Sequence, residues 1–81
     1  MEGVKIKSIW RNLPLQEIIY RVLQLKNGIS TDKELYEAVN NAAEVSYSEF
    51  LKTIMKMELY GLLKTSLIKE DVLSIELNKE S

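Results

Sequence analysis

The order of signals along this chain predicts an α+β domain in which three amphipathic helices are followed by a β-hairpin. Three observations carry the prediction. Two capping-box spacings, Thr31 with Glu34 and Ser46 with Glu49, each open a run with apolar residues at helical spacing. The stretch from Tyr47 to Tyr60 keeps the helical period, and after Gly61 the period changes to two. That alternation turns over at Lys69-Glu70-Asp71 and returns through Leu73, Ile75 and Leu77.

With 81 residues, 46% of them hydrophobic, the chain can bury one small core, so a single domain is expected. Its bounds are read as 14–78, after an N-terminal arm at 1–13 and before a polar tail at 79–81. Within the arm, Val4, Lys5, Ile6 and Lys7 alternate apolar and basic residues, as a short strand or extended arm does. The arm either lays Ile6, Ile9 and Trp10 on the domain or offers Lys5, Lys7 and Arg11 to phosphate, with the first reading favoured.

The first helix is expected to begin around Pro14, whose missing N–H has no partner in a first turn, and to place Glu17 at the positive end of its dipole. Leu15, Ile18, Ile19, Val22, Leu23 and Leu25 form an apolar face about 160° wide, extended by Tyr20. Asn27-Gly28 is the natural stop, and Ile29 marks a strand of one or two residues before the next helix starts. The second helix turns Leu35, Ala38, Val39 and Ala42 inward and ends near Asn40 to Ala43. Glu44 and Val45 form the turn into the third helix, which runs from Tyr47 to about Tyr60 and stops at Gly61. In the hairpin, Leu63, Thr65 and Leu67 share a face with Leu73, Ile75 and Leu77.

Composition excludes several kinds of chemistry. The absence of cysteine removes disulfides, thiolate zinc sites and thiol nucleophiles, and the absence of histidine removes the commonest general base and transition-metal ligand. The remaining carboxylates, lysines and hydroxyls form no catalytic constellation, so the expectation is a binding protein with no cofactor and no metal rather than an enzyme. No apolar run has the length of a membrane span, and Lys5, Lys7 and Arg11 break up any secretory pattern, so the expected location is the cytoplasm.

From Gly28 to Leu77 the chain resembles the winged helix-turn-helix family, and small single-domain winged helices of archaeal type look similar. The stretch MELYGLLKTS, a helix ending in Leu59-Tyr60-Gly61 and running straight into a strand, resembles that family's passage from recognition helix into wing. The resemblance implies a winged helix-turn-helix fold and a role in transcription. Many members bind DNA, and a substantial minority bind proteins instead.

A DNA-reading third helix presents its outward, N-terminal residues to base edges. At 100° per residue, Phe50, Ile54 and Met57 face the core, while Ser48, Glu49, Lys52, Lys56 and Leu59 lie opposite and Leu51 and Met55 lie between. Ser48, Lys52 and Lys56, with Lys64 and Lys69 on the wing, are the expected DNA contacts. Against this stand the net charge of −1, the acidic wing tip at Glu70 and Asp71, and an apolar arc of about 200° on the third helix.

The leading expectation is therefore a homodimeric regulator that binds double-stranded DNA, with Trp10, Tyr20 and Leu23 in the dimer contact. The alternative is a winged helix used as a protein-interaction module in a transcription or other nucleic-acid-handling assembly. Its contact stripe is Leu51, Met55, Leu59 and Tyr60.

Overall fold

A computed structural model describes residues 13–78 of the chain. Helix α1 spans Leu15–Leu25, with Pro14 as an extended N-cap whose carbonyl accepts from the N–H groups of Glu17 and Ile18 at 3.0 and 3.1 Å. Its end is set by two consecutive residues at positive φ, Asn27 at 66° and Gly28 at 86°, and the Gly28 N–H donates back to the Leu23 carbonyl at 2.8 Å. The left-handed conformation that glycine tolerates turns the chain directly into strand β1, Ile29–Thr31.

Thr31 closes β1 and caps helix α2, Asp32–Ala43, with its hydroxyl accepting from the Glu34 N–H at 3.3 Å. The turn out of α2 is held by that helix's own side chains: Val45 donates its N–H to Asn40 Oδ1 at 2.8 Å, and its carbonyl accepts from the Tyr36 hydroxyl at 2.8 Å. Helix α3, Tyr47–Leu59, starts at Ser46, whose hydroxyl accepts from the Glu49 N–H at 3.1 Å. It ends in a Schellman motif, with Leu62 N–H to Met57 O at 2.9 Å, Gly61 N–H to Glu58 O at 3.0 Å, and Gly61 at φ 80°.

Strands β2, Leu63–Lys69, and β3, Val72–Leu77, form the hairpin, and β1 pairs antiparallel with β3 to give a three-stranded sheet in the order β1-β3-β2. The register sets Leu63 against Leu77, Thr65 against Ile75 and Leu67 against Leu73, so the expected inner face is a single face. An irregularity between Leu67 and Lys69 precedes the turn. Three helices followed by a sheet whose hairpin forms the wing is the expected α+β plan, and it is compatible with a winged-helix arrangement.

The core is drawn from every long element: Ile18, Ile19, Val22 and Leu23 from α1, Leu35 and Val39 from α2, Phe50, Ile54 and Met57 from α3, and Leu63 and Ile75 from the sheet. Four expectations need correcting. Leu25 is 76% exposed, because it lies about 90° round the helix from the centre of the buried face. Leu23, expected in a dimer contact, is fully buried inside its own chain. Strand β1 has three residues rather than one or two, and its alternation turns Ser30, paired with Ile75, inward and leaves Ile29 exposed. Leu67 shares the inner face but is 67% exposed, having no buried neighbours along the outer hairpin, where residues 66 to 71 are all exposed. Trp10 and the basic residues of the arm lie outside the described residues.

Among the described residues no helix is long and apolar enough to cross a membrane, and no group of three or more His, Cys, Asp or Glu is placed to hold a metal ion.

Candidate functional site

Because Phe50, Ile54 and Met57 anchor α3 on the core, its opposite face is presented to solvent along the whole helix. That face divides by position. Ser48, Glu49 and Lys52 make the N-terminal half polar, and Lys56 follows one turn after Lys52, all of them exposed. Toward the C-terminal end, Met55 is 61%, Tyr60 66% and Leu59 86% exposed. Leu51, expected in the same stripe, is half-buried against the core and contributes only its edge.

The wing does not add to this surface in the way expected. The Thr65 hydroxyl donates to Glu58 Oε2 on α3 at 2.9 Å, which fixes the inner face of β2 toward the helix. Strand alternation then sends Lys64 to the other face of the sheet, opposite Glu76 in the register. The structure brings Ser48, Lys52 and Lys56 together and separates Lys64 from them. Lys69 is exposed at the tip beside Glu70 and Asp71, where its charge is offset. Over residues 13–78 acidic side chains outnumber basic ones.

Asp32 was not legible as a site residue. It is only 3% exposed, accepts the Tyr47 hydroxyl proton on Oδ2 at 2.8 Å, and accepts the Leu73 N–H on Oδ1 at 3.3 Å. The β1–β3 register explains the second bond: Thr31 pairs with Ser74, so the next rung would join Asp32 to Leu73. As the backbone turns into α2, the carboxylate supplies that rung instead. One side chain thus ties the start of α2, the start of α3 and the wing strand together. Tyr47 also packs edge-on against Tyr36, with ring centroids 5.1 Å apart, and both rings meet Phe50.

Burial holds the Tyr47 phenol above its ordinary value of 10.0, helped by its hydrogen bond to Asp32 and by that residue's charge. The folded state therefore keeps this proton more tightly than the unfolded chain does. The associated stability is fully present below pH 10.0 and fades as pH rises through the higher folded value. An ultraviolet difference titration of the parent against Tyr47→Phe is expected to show the lost phenol ionising above the ordinary tyrosine range. A difference curve centred at or below that range would contradict the assignment.

Comparison with protein-family models, curated proteins and solved structures finds no match.

Proposed function

We propose that this protein is a winged-helix transcription regulator that binds double-stranded DNA as a homodimer in the cytoplasm. The observation that carries the reading is the exposed line Ser48, Lys52 and Lys56 on the outward face of α3, which starts in the N-terminal part that a helix-turn-helix protein offers to the major groove and runs to the last turn. Met55, Leu59 and Tyr60, at the other end of the same helix, supply apolar surface for the second copy. A dimer is needed because two lysines per copy are too few phosphate contacts for useful affinity by one domain.

The test is a salt titration of duplex binding with the mass measured by light scattering. With Lys52 and Lys56 of two copies on phosphate, log affinity against log salt is expected to fall with a slope of about −4. Because both lysines are exposed, Lys52→Glu with Lys56→Glu is expected to fold as the parent does and to lose at least about tenfold in affinity. A double variant that binds a duplex as tightly as the parent would remove α3 as the reader.

A second reading, a protein-interaction module in a nucleic-acid-handling assembly, is favoured by the acidic excess of residues 13–78 and by the exposure of Met55, Leu59 and Tyr60. Its signature is a chain indifferent to duplex DNA at physiological salt, in which Leu59→Asp abolishes capture of a partner protein while the fold survives.

A further inference from the structure

A groove of about 180 Å³ opens between the N-terminal half of α1 and the C-terminal end of α3, lined by Gln16, Glu17, Tyr20, Met57 and Leu62. It is too small for a drug-sized ligand, whose pockets run to about 300–1,000 Å³, but of a size for one large side chain. Its walls suit an aromatic ring. Tyr20 and Leu62 are half-buried against the core, and Met57 belongs to the core itself, with a thioether of the kind that packs well against ring edges.

We propose that the occupant is Trp10 of the same chain. The described residues begin at Leu13, which is itself packed against the core, and Pro14 caps α1, so the preceding segment joins the body within one helical turn of Gln16 and Glu17. Trp10 stands three residues before Leu13, a span of at most about 10 Å, and is the one aromatic residue in the sequence of the arm. Glu17 on the groove wall already pairs with Arg21 of its own helix at 3.0 Å, so reach and shape rather than charge favour this placement. Trp10 and Tyr20, expected to meet across a dimer, then meet within one chain, and the indole covers the end of the core beneath the last turn of α3.

Trp10 is the chain's single tryptophan, so its fluorescence reports this site alone. In the folded full-length chain, blue-shifted emission and acrylamide quenching several-fold slower than in the same chain unfolded are expected. Nuclear Overhauser contacts from the indole ring to the Met57 methyl group are expected as well. Leu62→Lys keeps the backbone bond from residue 62 to the Met57 carbonyl while placing a charge in the groove, and should return emission and quenching to the exposed values with the far-ultraviolet dichroism unchanged. Should that variant fail to fold, the indole-to-Met57 contact in the parent decides. A tryptophan as open to acrylamide in the folded parent as in the unfolded chain overturns the proposal. So does blue-shifted emission that survives a folded Leu62→Lys, or an indole-to-Met57 contact seen only between differently labelled copies.

Discussion

Replacing Asp32 with alanine is expected to lower the free energy of unfolding by about 3 kcal/mol, the scale of two hydrogen bonds to a charged acceptor at about 1.5 kcal/mol each. The Leu73 N–H carries much of the loss, because it lies beyond the last β1 rung and has the carboxylate as its acceptor. The Tyr47 hydroxyl carries less, since Tyr47 is 38% exposed. Tyr47→Phe alone is therefore expected to cost about 1 kcal/mol, and the Asp32→Ala/Tyr47→Phe pair less than the sum of the two. Asp32→Asn should fall between parent and alanine, since its amide oxygen can still accept from Leu73. Denaturant unfolding of the four variants measures all of this. A loss below about 1 kcal/mol for Asp32→Ala would mean that the carboxylate does not couple α3 to the wing strand.

Phe50→Ala is expected to have the larger effect, about 4 kcal/mol, from lost burial plus the cavity left between α3 and its neighbours. Phe50 is fully buried, and its ring meets Tyr36 at 5.4 Å and Tyr47 at 5.9 Å between centroids, so truncation also removes two aromatic contacts. A loss of that size approaches the whole stability of a small domain, about 5 kcal/mol at the low end. On the same helix, Leu59 is 86% exposed, and Leu59→Ala should stay within about 0.5 kcal/mol of the parent. Comparable losses at the two positions would show that α3 is rotated from the orientation described.

Much of the fold was legible because its punctuation is local. Thr31 and Ser46 cap helices through hydrogen bonds to the N–H three residues on, and Gly28 and Gly61 end helices through positive φ, all within a few residues of one another. The inner face of the hairpin was equally legible, since strand alternation needs only the turn to be located. The candidate site was legible in part. Helical spacing set Ser48, Lys52 and Lys56 opposite Phe50, Ile54 and Met57, and the structure agrees.

Misplaced residues share one cause, in that each depends on what lies across the molecule. An apolar stripe on α1 does not say which of its members meet the chain's own core, and Leu23 is buried there while Leu25 stays exposed. Lys64 was grouped with the α3 lysines as a positive charge on the wing, while the bond from Thr65 to Glu58 turns it to the far face of the sheet. Asp32 reads in sequence as an acidic residue suited to a helix start, and the partner that makes it a buried clamp is Leu73, forty-one positions on.

The sequence by itself determined the element order, the caps and stops, and the face of α3 left outside the core, because short-range backbone chemistry and periodicity act within a turn or a strand. The tertiary structure alone decided which apolar residues remain outside, which lysines share a surface, and how one carboxylate locks α3 to the wing. Those outcomes depend on contacts between segments far apart in the chain, whose partners no local pattern specifies.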